Sequence, residues 1–250
     1  MERTLYSTKS KCSGGCKYCF AQWGSPAPKF PLIDDELTII RTKKHIIYPC
    51  CDGDFVPNAT FFKLLKELSE RPNLIVSFST KQSLSDEILA YLKSIHEKLQ
   101  ENGGFLKLGV SITTKSMLEE IEPNTASYQE RIEMLKRVVS MKIPSAVILK
   151  PILPFISIEE YWSIIDDTDF VGKYLTGSLY VHPDTDFFKL YIANKYAAEI
   201  KKVNWVNSEC RWLSIVQDER INEIQRYIEA KGLVEFSSDV ALLEALSLTL

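Results

Sequence analysis

Short apolar runs alternate along this chain with longer stretches whose apolar residues recur at helical spacing. The runs are His45–Cys50, Leu74–Ser79, Leu106–Ile112, Ala146–Ile152 and Ser178–Val181. They are rich in Val, Ile, Leu and aromatic residues, and most are continuous rather than alternating, the pattern of strands buried on both faces. Between them, Ser83 and Asp86 predict a capping box ahead of the stripe Leu84, Ile88, Leu92, Ile95, Leu99. Ser127 with Glu130 and Ser157 with Glu160 repeat the device before Ile132, Leu135, Val138, Val139 and before Tyr161, Trp162, Ile165. Phe61, Leu64, Leu65 and Leu68 mark a further amphipathic helix, ended by Pro72.

Strand, helix, strand at intervals of about 30 residues is the βαβ rhythm of a parallel sheet. A first strand at Thr4–Thr8 brings the expected number to six in an α/β fold. In barrels of this kind the active site forms at the C-terminal ends of the strands. Beyond about Asp184 the rhythm gives way to helical patterns. One runs from Gln217 to Ala230, with Ile221, Ile224, Tyr227 and Ile228 on one face.

The 250 residues suffice for one domain with a large core. A formal net charge of −3 gives no global reason to expect nucleic-acid binding. Locally, Lys9, Lys11 and Lys17 are followed by Arg41, Lys43 and Lys44. A solvated face is the commoner meaning of such a run, but its position keeps an anionic substrate in view. No apolar run approaches the roughly 20 residues needed to span a bilayer. Six Cys in the whole chain and the polar opening Met1-Glu2-Arg3-Thr4 read as neither a disulfide framework nor a secretory leader. A monomer in a reducing cytoplasm, where thiolates are kept for metals, is the expectation.

Three of those cysteines, Cys12, Cys16 and Cys19, lie in one loop directly after the first expected strand. Structural zinc takes four protein ligands, and an ordinary four-iron cluster takes four cysteines. Three thiolates leave one metal with an open position at which a small molecule binds and reacts. Gly14 and Gly15 let the backbone between the first two turn tightly. A zinc loop completed by Cys50, Cys51 or His45 is the alternative.

This loop, with the aromatic Tyr18 before its last cysteine, resembles that of the radical S-adenosylmethionine (SAM) superfamily. Four more segments resemble the spore photoproduct lyase branch and its relatives. They are Cys51-Asp-Gly-Asp-Phe-Val56, Ser79-Thr-Lys81, Ser111-Ile-Thr113 with Glu122-Pro-Asn124, and Lys150-Pro-Ile-Leu-Pro154. The resemblance covers about residues 8–181. It implies an incomplete (β/α)6 barrel over residues 1–183, with residues 184–250 as a helical C-terminal extension packed on it. It also implies a 4Fe–4S cluster held by Cys12, Cys16 and Cys19, with S-adenosylmethionine on the open iron. An external electron donor of the flavodoxin or ferredoxin type drives cleavage of the cofactor to a 5′-deoxyadenosyl radical, which takes a hydrogen atom from the substrate.

Residue by residue, the resemblance implies that Tyr18, Asp54, Lys81 and Ser111 bind the cofactor. Asp54 meets the amino group of S-adenosylmethionine, Lys81 its carboxylate, and Ser111 faces the cofactor from the fourth strand. Each has a plainer alternative: Asp54 caps the helix beginning near Asn58, Lys81 is solvated, Ser111 bonds only to backbone. Cys51 falls where the lyases place the cysteine that returns a hydrogen atom to the substrate radical. Strand alternation sends Cys50 to the opposite face, and an inert buried thiol is the commoner fate of either. Lys150 departs from the lyases, which carry a small residue there, and is expected to be buried. The class implied is a lyase-like repair or modification enzyme, its substrate open, with a nucleic-acid or nucleotide lesion in view. A regulatory or redox-sensing module built on an iron–sulfur or zinc site is the rival. Such a module has no reason to set Lys81 and Ser111 at strand ends facing the metal.

Overall fold

Seven parallel strands form the main sheet, side by side in the order in which they occur along the chain. The computed structural model describes residues 1–6, 12–19, 44–51, 53–55, 57–201 and 212–249. Lys9, Lys11, Arg41, Lys43, Cys210 and the expected end of the first strand at Thr8 lie outside the described residues. The strands are β1 (Glu2–Leu5), β2 (His45–Tyr48), β3 (Leu74–Thr80), β4 (Phe105–Ser111), β5 (Ser145–Leu149), β6 (Lys173–Thr176) and, far along the chain, β10 (Val234–Phe236). Connecting helices are α1 (Ala59–Ser69), α2 (Asp86–Glu101), the single turn α3 (Leu118–Ile121), α4 (Tyr128–Ser140) and α5 (Ile158–Thr168). This is the incomplete barrel that the strand rhythm and the cysteine loop imply.

Alternation along each strand divides the core in two. Ile47, Val76, Leu106, Leu108, Val147 and Tyr174 pack beneath the connecting helices. Their neighbours Ile46, Ile75, Phe105, Ala146, Ile148 and Leu175 face the other way, the inner face of the sheet. There they are covered by the last helix, α7 (Asp239–Ser247), through Leu242, Leu243 and Leu246. Burying three leucines contributes roughly 1.5–3 kcal/mol each before the entropy of ordering them. Asp239, on the first turn of α7, pairs with the buried Lys107 of β4 at 2.9 Å and accepts from Ser77 Oγ of β3 at 3.3 Å.

Several boundaries differ from expectation for identifiable reasons. Pro49 closes β2 at Tyr48, so Cys50 and Cys51 occupy the following turn rather than the strand. Likewise β5 ends at Leu149, because Pro151 offers no N–H to a ladder. The sixth strand is Lys173–Thr176 rather than Ser178–Val181; it starts from Gly172, whose φ of 76° turns the chain, and stops at Gly177. The run expected there instead supplies β7 (Tyr180–Val181) to a small antiparallel sheet with β8 (Ala198–Lys201) and β9 (Trp212–Ile215). Residues after Asp184 therefore contribute three strands beside α6 (Asp218–Ala230) and α7. Ser85, not Ser83, caps α2 by accepting from Ile88 N. Ser127 and Glu130 form the expected capping box, and Ser157 caps α5. No helix among the described residues is long and apolar enough to cross a membrane.

Candidate functional site at the strand ends

The cysteine loop docks on a turn after β4. Lys17 N donates to Ile121 O at 2.9 Å, and Asn124 N donates to Gly14 O at 3.3 Å. Gly15 sits at φ 63°, and a Cβ there would meet Asn124 Nδ2 at 3.1 Å, so conformation and space both favour glycine. A Cβ on Gly14 would lie 3.6 Å from the Cys12 sulfur and 3.7 Å from the Cys16 sulfur. The two thiols thus flank a space that a larger residue would fill. Cys19 follows in a tight turn, its N–H donating to Cys16 O at 3.0 Å.

Among the described residues, no three His, Cys, Asp or Glu side chains are already gathered as a metal site. A four-iron cluster takes each thiolate on a different iron, so its ligands need not meet at one point. The donor set, three thiols without a fourth protein ligand, and the cradle above Gly14 both fit an open-iron cluster. Burial pushes the Cys16 thiol up to about 12, with the Lys81 ammonium opposing the shift and Glu122 adding to it.

Glu122 organises the floor of this site, and sequence reasoning missed it. Its carboxylate, fully buried, accepts from Thr113 Oγ1 at 2.7 Å and from the Tyr18 hydroxyl, and pairs with Arg131 at 2.7 Å. Arg131 has no exposure either. Its guanidinium also donates to Ser111 O at 2.8 Å, to Ala126 O at 3.0 Å and to Thr125 Oγ1. Burial would raise the pKa of Glu122, but Lys81, Arg131 and the two hydroxyl donors together hold it below the usual carboxylate range. The available signal lay in the Glu122-Pro-Asn124 segment and in Arg131 falling on the buried stripe of α4 with Leu135 and Val138.

Lys81, just past β3, is fixed through its backbone. Its N–H donates to Asp54 Oδ2 at 2.9 Å, and its carbonyl accepts from Ala126 N at 3.0 Å. Its ammonium lies 5.7 Å from the centre of the Tyr18 ring, within cation–π reach. Burial disfavours that charge, yet Glu122, Cys16 and Asp54 more than offset it and raise the pKa. The side chain is part-buried beside Tyr18 rather than fully exposed. Asp54 does not cap α1 either, because Asn58 Oδ1 does so by accepting from Phe61 N at 2.9 Å. Instead Asp54 accepts from Phe55 N at 2.7 Å and Lys81 N, tying the turn after β2 to the end of β3. Two of its roughly four acceptor positions are thereby used.

Ser111 closes β4, and its hydroxyl is buried without a hydrogen-bond partner among the described residues. An orphaned buried hydroxyl is costly and is the kind of group a ligand satisfies. Cys51 is half-buried, with its N–H donating to Tyr6 O at 3.1 Å. Cys50 is buried in the apolar core that also holds Tyr6, Cys16 and Tyr18. Lys150 is open to solvent, contrary to the buried position expected, though its stem packs on Gly177.

The chain resembles known proteins in both sequence and fold. The uncharacterized protein MJ0683 of Methanocaldococcus jannaschii is 26% identical over 244 residues, covering 89% of this chain and 86% of that protein. Spore photoproduct lyase, solved as a cysteine-to-alanine mutant with dinucleoside spore photoproduct, superposes with a TM-score of 0.65 at 15% identity, over 88% of this chain and 71% of that one. A double mutant of the same lyase with bound S-adenosylmethionine and dinucleoside spore photoproduct gives 0.61 at 13% identity, over 91% and 79%. At these identities the likeness is one of fold. The family model described as the radical SAM superfamily matches residues 6–168. Because that match spans well over half of its length, the chain belongs to the radical SAM superfamily, whose enzymes use a 4Fe–4S cluster and S-adenosylmethionine.

Proposed function

We propose that Cys12, Cys16 and Cys19 ligate the 4Fe–4S cluster, and that Lys81, Ser111, Asp54 and Tyr18 receive S-adenosylmethionine beside it. The observation that carries this reading is the Glu122–Arg131 pair. It ties the cysteine loop, through Tyr18, to the backbone of Ser111 and to the ammonium of Lys81. Loop and strand ends are thereby held as one unit, as a site that must align a cluster with a second cofactor requires. The chemistry supplied there, when both cofactors are bound, is one-electron cleavage of S-adenosylmethionine and abstraction of a hydrogen atom from the substrate.

The chain's own residues have distinct tasks. Lys81 offers a charge-assisted contact to the methionine carboxylate, and the remaining acceptor positions of Asp54 suit an ammonium. Ser111 supplies the unpaired hydroxyl. Tyr18 and Thr113 hold Glu122, which keeps Lys81 charged. Cys51, half-buried in the turn after β2, is the hydrogen-atom donor to the substrate radical. A lyase-like repair or modification reaction on a nucleic-acid or nucleotide substrate is the subclass we favour. An external reductant of the flavodoxin or ferredoxin type would serve it in the cytoplasm.

Anaerobic reconstitution tests the reading. The protein should bind about four irons and four sulfides and, with dithionite, convert S-adenosylmethionine to 5′-deoxyadenosine. Cys16→Ala should abolish both. Stoichiometric zinc without iron-dependent absorbance in protein purified without oxygen would instead support a regulatory metal module.

A further inference from the structure

The inner face of the sheet carries a cation that the cofactor site does not use. Lys150 directly follows β5, two residues beyond Ile148, whose side chain lies on that face. Its stem lies close to the neighbouring strand end. A Cβ on Gly177, the residue that follows β6, would fall 2.7 Å from Lys150 Cε and 2.8 Å from Cδ. The lysine stem thus runs over Gly177 at the neighbouring strand end, where a side chain would oblige it to move aside. It nevertheless remains open to solvent.

The charge of Lys150 is unmatched. Among the described residues Lys150 makes no ion pair, and the carboxylate that acts on it, Asp239, is already committed to Lys107 at 2.9 Å and to Ser77. The hydroxyl of Tyr48 is bonded to the same carboxylate. Two ammonium groups thus share one carboxylate on the inner face, a local positive excess within a chain of net charge −3.

We propose that Lys150 is a substrate-binding residue that takes a phosphoryl oxygen of a nucleotide or nucleic-acid substrate. The identity of the substrate class rests on the reading above. An ammonium with three donors meets a phosphoryl oxygen as a point charge, and a nucleotide or nucleic-acid substrate presents one. Its place at the C-terminal end of β5, on the inner face, puts it where a barrel of this kind receives substrate.

Three probes test this, with binding followed by tryptophan fluorescence or calorimetry. They are thymidine, thymidine 5′-monophosphate and thymidylyl-thymidine. The wild-type protein should bind a phosphate-bearing probe about ten-fold or more tightly than thymidine, a preference that added salt erodes. Preference for the monophosphate would point to a free nucleotide, and preference for the dinucleotide to a polynucleotide chain. Lys150→Gln should remove the preference, Lys150→Arg should keep most of it, and Gly177→Ala should weaken it by displacing the stem. Equal binding of the three probes, no measurable binding, or a preference unchanged in Lys150→Gln overturns the proposal. Failure of the wild-type protein to assemble a cluster would sink the enzyme reading, and the phosphate preference would be measured independently of it.

Discussion

Glu122 and Arg131 face each other at 2.7 Å with neither side chain exposed to solvent. Desolvating such a pair is costly, and it persists because each partner also fills its other hydrogen-bonding positions. Glu122→Gln should therefore destabilise the fold by about 3–5 kcal/mol, since it strands a buried guanidinium. The double variant Glu122→Leu with Arg131→Met should recover much of that stability, but not the affinity for S-adenosylmethionine. Urea midpoints and cofactor titrations separate the two effects. A wild-type midpoint in Glu122→Gln would remove the pair from the scaffold of the site.

Lys81 is raised in pKa by Glu122, Cys16 and Asp54 against its own burial, so it is charged at any working pH. Lys81→Ala should cost a charge-assisted contact of about 1.5–3 kcal/mol, which is roughly 10- to 150-fold in the dissociation constant for S-adenosylmethionine. Equilibrium dialysis of reconstituted protein measures it. An unchanged constant would take Lys81 out of the cofactor site.

The docking of α7 should depend on pH through Asp239. Burial would raise the pKa of its carboxyl, but Lys107, Tyr48 and Ser77 hold it below the usual aspartate range. A carboxyl depressed in the folded state contributes its full stability above its ordinary pKa and loses it as pH falls through the folded value. Stability from this contact should therefore be constant near neutrality and fall off in acid, below about pH 4. Asp239→Asn should destabilise by about 3 kcal/mol at pH 7, and its midpoint should change less than that of the wild type on acidification. Parallel pH profiles would show that the carboxylate is not what anchors the helix.

Much of this architecture was legible in sequence because it is local or periodic. Ser127 and Glu130 signal a capping box within four residues, and Leu74–Ser79 and Leu106–Ile112 read as buried strands because both their faces are covered. The cysteine loop was legible because three thiols in one turn state their chemistry without help from the fold. What escaped depends on distant partners. Val234–Phe236 is a three-residue strand defined only by its pairing with β6, too short for any period. Glu122 and Arg131 lie on opposite sides of a turn, and nothing in their spacing marks them as a buried pair. Asp54 reads as a helix cap until Asn58 is seen to occupy that role.

Cys50 and Cys51 separate a lyase-like mechanism from the rest of the superfamily. Because β2 ends at Tyr48, strand alternation does not decide between them, and burial becomes the better guide. Cys50 packs in the core, whereas Cys51 is half-buried in the turn, its backbone fixed to Tyr6 at the end of β1. A donor must reach the substrate, and a thiol suits the task because its S–H bond is weak enough to give a hydrogen atom to a carbon radical. Cys51→Ala should still assemble the cluster and make 5′-deoxyadenosine, but product should be diverted to adducts or oxidised forms for want of that hydrogen. Cys50→Ala should give normal product and a modest loss of stability, since a small thiol leaves the core. If the two variants exchange behaviour, the donor is Cys50 and the mechanism stands with the assignment moved. Wild-type product from both single variants and the double variant would end the donor hypothesis, leaving the proposal for this chain at the cluster and cofactor alone.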